Sequence, residues 1–357
     1  MHNRRKTMEK KKVLLGMSGG VDSSVSAILL KEQGYEVIGV TMKLQCDSSN
    51  FEKDIKDVKE VCNKLNIKHY VFDFTTEFKK FVIDDFINEY LDCKTPNPCI
   101  ECNKNLKFGA LYEKAKEMNV EYIATGHYAK VEYSPKFNRY VIKKSNSLKK
   151  DQSYFLYEID KDVISHIIFP LSEFESKDQI RKIAFDYGFS VASKKDSQEI
   201  CFIPNDDYVS YLINNSNVKL ISGDIISDKN VVLGRHKGLI NYTIGQRRGL
   251  SISNPKPLYV SKLNKEKNQV IVSEQEGLFS SELIIEKYNI LAVDKIDDQM
   301  RVKAKIRYLS KEAEATLYNM ENGNIKVVFD LPQKAITPGQ SIVFYIDDVV
   351  LGGGKIV

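Results

Sequence analysis

The residues with the clearest potential for chemistry form a short stretch near the start of the chain, SGGVDSS at residues 18–24. The stretch follows an apolar run at residues 13–17 and precedes a segment with helical spacing, which predicts a strand, a tight glycine loop and a helix. Gly19 and Gly20 leave the backbone open to a ligand, and the amides at a helix N-terminus suit a phosphate. The serines add hydroxyl donors, and Asp22 is placed to hold Mg²⁺ beside the phosphates.

A plainer interpretation is a tight strand–helix turn in which a Ser or Asp is the N-cap. The full string directly after the first strand favours phosphate binding instead. It is neither a Walker loop, because no Gly-Lys-Ser/Thr closes it, nor the G-x-G-x-x-G of dinucleotide folds. The string resembles the pyrophosphate loop of the ATP pyrophosphatases. That resemblance implies cleavage of ATP between its α and β phosphates and adenylation of a carbonyl-type oxygen.

The cysteines are the second group of candidate residues. Cys99 and Cys102 form a C-x-x-C pair, and Cys201 lies far downstream. Structural zinc would want four ligands, but the sequence has no second C-x-x-C and its histidines are scattered. Burial as small hydrophobic residues suits Cys46 and Cys62 better than this Pro-rich stretch. The third interpretation is sulfur chemistry, in which one thiol carries a persulfide and another releases its sulfur by forming a disulfide.

The elements that must position these residues alternate between strand and helix in the first part of the chain. Strands are predicted at residues 36–42, 69–72 and 122–125, and helical stripes at 55–65, 78–87, 105–118 and 177–187. This pattern is typical of a parallel sheet covered by helices on both faces, with ligands at the carboxyl ends of the strands. The corner after the strand at 122–125 is therefore a second ligand-facing position. Prolines 96 and 98 predict an irregular, extended path before the helix at 105–118.

The pattern changes after about residue 207, where short apolar runs alternate with Gly, Asn and Pro turns. We predict an α/β domain at 1–207, a small β-rich domain at 208–275 and a β-barrel at 280–357. The glycines at 352–354 lack a following Ser or Thr and are interpreted as part of a final strand.

Composition sets broad limits on the function. The 357 residues carry a net charge of +5, which permits an acidic partner such as RNA without requiring one. No apolar run approaches the length of a membrane helix. The basic first twelve residues lack the apolar stretch of a signal peptide, and six cysteines in a chain of this length suggest reduced thiols. We therefore expect a cytoplasmic protein.

Several further motifs make the family resemblance specific. They are GMSGGVDS at 16–23, TPNP at 95–98, CNK at 102–104, ATGHY at 124–128, KDQSY at 150–154, ICF at 200–202, YTIGQR at 242–247, TPGQ at 337–340 and LGGG at 351–354. In this order, and over nearly the whole chain, they resemble the tRNA-specific 2-thiouridylases. The resemblance implies ATP-dependent 2-thiolation of the wobble uridine, position 34, of tRNA.

The resemblance also implies roles for individual residues. Cys102 is the expected nucleophile and Cys201 the expected persulfide carrier, and a disulfide between them would close the cycle. A sulfur donor and a reductant are then needed as partners, and ATP with Mg²⁺ is the expected cosubstrate. The implied ATP-binding residues are Gly16, Met17, Ser18, Gly19, Gly20, Val21, Asp22, Ser23, Met42 and Gly126. The implied tRNA-binding residues are Asn97, Pro98, Cys99, His127, Lys150, Asp151, Gln152, Arg307, Tyr308 and Gln340.

One departure from the family pattern lies at Cys99, where many members carry an Asp assigned as a general acid/base. A thiol is a poorer proton shuttle unless its pKa is tuned. In one hypothesis Cys99 is neutral in function, and water or an ATP phosphate moves the proton. In the other, Cys99, Cys102 and Cys201 hold an iron–sulfur cluster with one open iron.

Two rival functions use the same features differently. Another ATP-pyrophosphatase-type adenylating synthetase would share the loop at residues 18–24 but would not need paired cysteines or the C-terminal β modules. A non-catalytic RNA-binding protein would need the β-barrel but not an intact loop. Formation of AMP and pyrophosphate only in the presence of tRNA would exclude both.

Overall fold

The computed structural model describes residues 10–45, 49–194 and 200–357, and the chain divides into two compact units. The first unit comprises Met1–Lys79 and Cys102–Ser197, and the second comprises Lys80–Glu101 and Gln198–Val357. The segment Lys80–Glu101, which the sequence places in the N-terminal domain, therefore belongs with the C-terminal half of the chain. The three domain boundaries given above stay predictions.

The first unit is built on a five-stranded parallel sheet. The strands of this unit, five of which form the sheet, are β1 (Lys12–Gly16), β2 (Glu36–Lys43), β3 (Lys68–Asp73), β4 (Tyr122–Ala124), β5 (Ala129–Ser134), β6 (Arg139–Lys144) and β7 (Ile167–Ile168). The sheet order is β3-β2-β1-β4-β7, and β5 and β6 form an antiparallel hairpin. Val13, Leu14 and Leu15 are fully buried. A parallel strand that is covered on both faces buries consecutive side chains, which explains why this run is apolar throughout. This confirms the predicted α/β fold.

Helices and short helical turns lie in both units. The helices are α1 (Val21–Glu32), α2 (Ser49–Leu65), α3 (Thr75–Phe78), α4 (Asp84–Leu91), α5 (Pro98–Cys102), α6 (Leu111–Glu117), α7 (Lys177–Asp186) and α8 (Tyr208–Asn215). Two π-helical segments are Lys79–Ile83 and Asn103–Ala110. Short 3₁₀ turns lie at Ser153–Leu156, Ile164–His166, Ser190–Ser193, Pro204–Asp206, Leu239–Asn241 and Gln275–Leu278. Helix α7 matches the helical stripe predicted at 177–187; Ser176 is its N-cap, and the Ser176 amide donates to Gln179 Oε1 at 3.2 Å.

The expectation of an extended path up to residue 105 is wrong, because helix α5 already begins at Pro98. Proline is tolerated at the first helical position, where its missing N–H would have no intrahelical partner. Helix α8 was also not predicted from the sequence. Helix α5 lies in a Pro-rich stretch and helix α8 at the start of a β-rich region, so the local composition did not indicate a helix at either place.

Strand β1 pairs with β2 on one side and with β4 on the other. The chain order therefore reverses between β1 and β4. In open α/β sheets such a switch point opens a crevice at the carboxyl ends of the two strands. The loops after Gly16 and Ala124 both border this crevice.

The second unit contains two β structures. Its strands are β8 (Gly223–Ser227), β9 (Val232–His236), β10 (Tyr259–Asn264), β11 (Gln269–Ser273), β12 (Phe279–Ile290), β13 (Gln299–Lys305), β14 (Ala313–Asn319), β15 (Ile325–Lys334), β16 (Ser341–Ile346) and β17 (Val349–Ile356). Strands β8–β11 form a sheet in the order β10-β11-β8-β9. Strands β12-β15-β14-β13-β16-β17 form a barrel that closes where β17 pairs with β12. The predicted C-terminal barrel and its glycine-rich final strand are confirmed.

Within the described parts of the chain, no helix is long and apolar enough to cross a membrane.

Candidate active site

The loop after β1 turns sharply towards helix α1. The amide of Met17 still donates to Val40 O at 2.7 Å, which extends the pairing with β2 by one residue. The chain then reverses at Gly19, whose φ is +71°. A Cβ at Gly19 would lie 2.9 Å from the backbone oxygen of Asp54 in α2. Glycine is therefore required both by the left-handed conformation and by the close approach of α2.

Backbone groups, and not serine hydroxyls, dominate the start of helix α1. Gly20 is the N-cap and has no side chain to cap the first turn, so the alternative of a Ser or Asp N-cap is wrong. The hydroxyls of Ser23 and Ser24 donate to Gly20 O at 3.1 and 2.9 Å, and Ser23 Oγ accepts from Ser18 N. The two serines therefore fix the loop rather than offering donors to a ligand. The first-turn amides of α1 are the donor set that suits an anion.

The corner after β4 lies directly against this helix start. A Cβ at Gly126 would be 3.0 Å from both Asp22 Cβ and Ser23 N, so any other residue would push this corner and the start of α1 slightly apart. Met42 lies one residue before the end of β2 and is half-buried. The structure thus brings the predicted ATP-binding residues 16–23 and Gly126 together at the β1–β4 switch point, with Met42 on the neighbouring strand.

The carboxylate of Asp22 already has two partners within the protein. Lys177 Nζ lies 2.7 Å from Asp22 Oδ2, and the hydroxyl of Tyr128 donates to Asp22 Oδ1 at 2.9 Å. Lys177 is the first residue of α7, and only 14% of its side chain is exposed. Asp22 was expected to hold Mg²⁺, but in this arrangement it orients a lysine beside the loop.

A second lysine braces the same loop from the other side. Lys194 Nζ donates to Gly19 O at 2.9 Å and to carboxylate oxygens of Asp54 and Asp57 at 2.8 and 3.0 Å. Burial lowers the pKa of Lys194, but the two carboxylates more than offset this and the net pKa is raised. The sequence analysis identified neither Lys177 nor Lys194 as a site residue. Lys177 lies more than 150 residues from its partner Asp22, and Lys194 more than 150 from Gly19, so no local sequence pattern links either lysine to the loop.

His127 follows Gly126 and is almost fully buried. Its ring packs with the rings of Phe108 and Phe169, all three in mutual contact, and its Nδ1 is 2.7 Å from Thr125 Oγ1. Burial, with a smaller effect of Lys107, holds the pKa of His127 well below its usual value of 6.5. A neutral, buried ring is suited to packing beneath the site and poorly suited to a phosphate contact.

Replacing His127 with Gln should weaken the dependence of stability on pH. The folded protein resists protonation of His127 while the unfolded chain accepts it, so this residue lowers the free energy of unfolding as pH falls below about 6.5. Urea unfolding between about pH 7 and pH 5 should show a slope smaller in His127→Gln by up to about 1.4 kcal/mol per pH unit. Equal slopes in the two proteins would show that His127 is charged in the folded state.

Cys102 lies at the end of helix α5 and is buried, with 7% of its surface exposed. The residues that follow it are anchored within the first unit. Asn103 Nδ2 donates to Phe155 O at 3.0 Å, and Lys104 Nζ pairs with the buried carboxylate of Glu158 at 2.8 Å. The helix therefore holds Cys102 at a defined position.

The predicted tRNA-binding residues 150–152 have distinct environments. Asp151 is buried and accepts from Ser145 N at 3.0 Å and Ser153 Oγ at 2.7 Å. Gln152 Oε1 accepts from Tyr128 N at 3.0 Å. Asp151 and Gln152 thus shape this loop, and Lys150 is the charged, half-exposed member that is suited to a phosphate.

In the second unit, Asn97 O accepts from Ile100 N at 3.2 Å, which closes the first turn of the segment that carries Cys99. Pro98 is buried and Cys99 is exposed. Asn97, Pro98 and Cys99 thus form a rigid turn with a thiol on its surface.

Cys201 is exposed on a turn in which Ile203 N donates to Ile200 O at 2.9 Å. The neighbouring Phe202 is buried, and its ring centroid lies 5.3 Å from those of Phe86 and Tyr211. The aromatic residue of the ICF motif therefore anchors the turn and leaves the thiol at the surface.

The cysteines at 62, 93, 99, 102 and 201 are present as thiols. Among the described residues, no three or more His, Cys, Asp or Glu side chains are grouped so that they could hold a metal ion. The described geometry therefore offers no ligand set for zinc or for an iron–sulfur cluster. Cys46 and residues 195–199 lie outside the described residues.

The predicted tRNA contacts on the barrel have partners inside the second unit. Arg307 Nη2 donates to Ala335 O at 2.7 Å and also contacts Thr337 Oγ1. The ring of Tyr308 lies 5.7 Å from Lys305 Nζ. Arg307 thus secures the turn at residues 335–337, while Tyr308 is half-exposed.

Comparison with known proteins identifies relatives over the whole chain. Three family models match: the tRNA methyl transferase HUP domain over residues 11–205, the tRNA methyl transferase PRC-barrel domain over 210–274, and the Aminomethyltransferase beta-barrel domain over 280–356. The chain is 46% identical to the tRNA-specific 2-thiouridylase MnmA of Acetivibrio thermocellus, over 98% of this chain and 100% of that protein. It is 48% identical to the tRNA-specific 2-thiouridylase MnmA of Clostridium botulinum, over 98% and 99%.

Similarity to solved structures is weaker. A 4-thiouridine synthetase–RNA complex with bound ATP has a TM-score of 0.34 at 19% identity, covering 57% of this chain and 50% of that one.

Proposed function

The chain belongs to the family of tRNA-specific 2-thiouridylases, and on this premise we propose that it transfers sulfur to uridine in tRNA in a reaction driven by ATP. The observation that carries the proposal is the start of helix α1 at the β1–β4 switch point, where a glycine N-cap leaves the first-turn amides to an anion. The thiols of Cys102 and Cys201 supply the sulfur chemistry that such an activation step serves.

In this proposal, residues 16–23 bind the phosphates of ATP, and Met42 and Gly126 border the adenosine. The ammonium group of Lys177 lies next to the loop, so it is suited to interact with the pyrophosphate as this group separates from AMP. Mg²⁺ would enter with ATP, held mainly by phosphate oxygens, because both oxygens of Asp22 have protein partners.

The activation step joins the uracil to AMP. The C2 oxygen of the uracil attacks the α-phosphorus of ATP, the bond to the β-phosphate breaks, and pyrophosphate leaves. The adenylated oxygen is then a good leaving group, and C2 becomes electrophilic. The amides of α1 are placed to stabilise the negative charge that develops on the departing pyrophosphate.

The sulfur step uses a persulfide on Cys201, formed by a separate sulfur donor. The terminal sulfur attacks C2 and AMP leaves. Cys102 then attacks the Cys201 sulfur, which breaks the persulfide bond, forms a disulfide and leaves sulfur on C2. Alternatively, Cys102 attacks first and the released hydrogen sulfide attacks C2. Either route oxidises two thiols, so a reductant must restore them before the next cycle.

Exposure favours this division of roles. Cys201 lies on a surface turn, where a donor protein can reach it, whereas Cys102 is buried in its helix. We propose that Cys99 is not essential, and that water or a phosphate oxygen moves the proton. Anaerobic purification with iron and sulfide assays, repeated on Cys99→Ala, tests this: a metal-free wild type with full activity rules out a cluster-dependent variant, and loss of thiolation in a folded Cys99→Ala would show that Cys99 is essential.

We propose that the wobble uridine at position 34 is the target. A base in the anticodon loop must leave its stack to reach a buried site, and single-stranded loops permit this. Residues 97–99 would then face the base, and Lys150 would contact the backbone. Tyr308 is the barrel residue whose exposure suits a nucleotide contact.

ATP turnover provides the direct test. We expect AMP and pyrophosphate to form in equal amounts when tRNA with an unmodified wobble uridine, a persulfide donor and a reductant are supplied. Nucleoside mass spectrometry should show 2-thiouridine in the same tRNA. A transcript in which cytidine replaces the wobble uridine is the control and should support neither reaction. AMP formation without tRNA, or with a small-molecule acceptor in its place, would contradict the proposal.

A further inference from the structure

The segment that leads into Cys102 lies against the C-terminal barrel within the second unit. Thr95 N donates to Pro338 O at 2.9 Å, and Gln340 Nε2 donates to Thr95 O at 2.8 Å and to Pro96 O at 3.3 Å. Pro96 and Pro98 have no N–H, so this stretch cannot form a regular hydrogen-bonded ladder, and its carbonyls need donors from elsewhere. The side-chain amide of Gln340 supplies donors to two of them.

The barrel turn at residues 337–340 approaches this segment as closely as its backbone allows. Gly339 has a φ of +86°, and a Cβ there would lie 2.7 Å from Lys94 Cβ and 2.8 Å from Thr95 N. Any other residue would push the two backbones apart. The contact is therefore built into the TPGQ motif: Pro338 supplies the acceptor, Gly339 the space and Gln340 the donor.

A second attachment lies at the end of the final barrel strand. Lys355 Nζ is 3.0 Å from Glu101 Oε1, and 3.6 and 3.9 Å from carboxylate oxygens of Asp85 and Glu89. The side chains of Lys355 and Glu101 are each only 15% exposed. Removing the ammonium group would leave these carboxylates close together with little solvent. Glu101 directly precedes Cys102, so Lys355 restrains the residue next to that thiol.

The pKa directions agree with a network in which the lysine is the central charge. Burial lowers the pKa of Lys355, and the carboxylates of Glu101, Asp85 and Glu89 more than offset it, so that the net pKa is raised. Burial raises the pKa of Asp85 and of Glu89, and Lys355 opposes it. Lys355 therefore stays charged over the whole physiological range.

We propose that Gln340 and Lys355 are positioning residues, through which the barrel fixes the segment 95–101 for the sulfur-transfer step. This rests on the proposed function, because it is Cys102 that gives the segment its importance. It also changes the role expected for Gln340. Its amide nitrogen is engaged by two carbonyls of this segment, so its effect on the reaction passes through residues 95–101 rather than through a contact with tRNA.

The test compares Gln340→Glu and Lys355→Met with Gln333→Glu. Gln340→Glu keeps the shape but removes the N–H donor. Gln333 is a matched control, since it is half-buried on the same barrel and, among the described residues, its side-chain amide donates to Leu331 O of its own strand, at 2.8 Å. Amide hydrogen exchange of a peptide covering residues 94–101 is measured in the full-length protein. Thiolation kcat and tRNA Kd are measured in parallel.

We expect faster exchange at residues 94–101 in Gln340→Glu and Lys355→Met, a fall in kcat of about tenfold or more, and a Kd for tRNA within about threefold of the wild type. Gln333→Glu should match the wild type in all three. A raised Kd with unchanged exchange in Gln340→Glu would overturn the proposal and make this residue a tRNA contact. If Lys355→Met fails to fold, Gln340→Glu carries the test. The hydrogen-exchange measurement shows whether Gln340 and Lys355 restrain residues 94–101 even if the wild type thiolates no tRNA. Failure of the proposed function can therefore be distinguished from failure of this proposal.

Discussion

Replacing Cys102 or Cys201 with serine should lower the rate of 2-thiouridine formation by about 10³-fold or more, because a hydroxyl can neither carry a persulfide nor close a disulfide. The activation step should survive, since the first-turn amides of α1 and Gly126 are untouched. Pyrophosphate released in the first turnover, measured by rapid quench, should stay within about threefold of the wild type. Nucleoside mass spectrometry of the same samples gives the thiolation rate.

Cys93→Ser is the matched control for this pair. Its thiol is half-buried just before the segment 95–101, and burial raises its pKa, so it is not suited to act as a nucleophile. We expect wild-type rates of both pyrophosphate release and thiolation. Thiolation that persists in Cys102→Ser or Cys201→Ser would exclude the proposed exchange between two thiols. Loss of pyrophosphate release in a folded variant would show that the cysteine also takes part in activation.

The sequence predicts the strand–glycine loop–helix turn and the parallel sheet correctly, because both rest on local patterns. The apolar run at residues 13–17 and the helical spacing after Gly20 are short-range signals, and the carboxyl ends of parallel strands lie at the same edge of a sheet. The approach of Gly126 to Asp22 follows from the same rule. Its reason, a backbone contact with no room for a Cβ, is visible only in three dimensions.

Long-range pairs account for most of what the sequence does not predict. Lys177 and Lys194 reach the loop across many residues, and Lys355 reaches Glu101 from the last strand. The grouping of Lys80–Glu101 with the C-terminal half has the same origin. Helical periodicity indicates which face of a helix is buried, but not which of the two units that face packs against.

The residues assigned to tRNA by resemblance give a more specific lesson. His127, Asp151, Arg307 and Gln340 each have hydrogen-bond partners within their own unit. A motif marks residues that are required either by the fold or by the reaction. The motif alone does not show which of these two requirements applies to a given residue. The structure separates them where a side chain's donors and acceptors are already engaged, as with the carboxylate of Asp151 and the amide nitrogen of Gln340. For Lys150 and Tyr308, partial exposure leaves the ligand interpretation standing.

Gly19→Ala should raise the KM for ATP by about 10²-fold, because a shift of about 1 Å in the loop misplaces the amides that bind the phosphates. The new Cβ would lie 2.9 Å from Asp54 O and 3.0 Å from Asp54 Cα, so the loop or α2 must move. The left-handed conformation adds about 1–2 kcal/mol of strain. The KM for tRNA should change little, since in the proposed reaction the loop binds the pyrophosphate and not the uridine. Steady-state AMP formation at varied ATP and at varied tRNA concentrations measures both constants.

Gly188→Ala separates the strain from the displacement. Gly188 has a φ of +67°, close to the +71° of Gly19, and no described atom lies within 4 Å of its Cβ position. Gly188→Ala should therefore lose only the stability that the strain costs, Gly19→Ala should lose at least as much in thermal unfolding, and only Gly19→Ala should lose affinity for ATP. If the two variants raise the KM for ATP equally, the effect comes from general destabilisation. If neither raises it, the amides after Gly19 do not bind the phosphates, and the α1 N-terminus is not the ATP site.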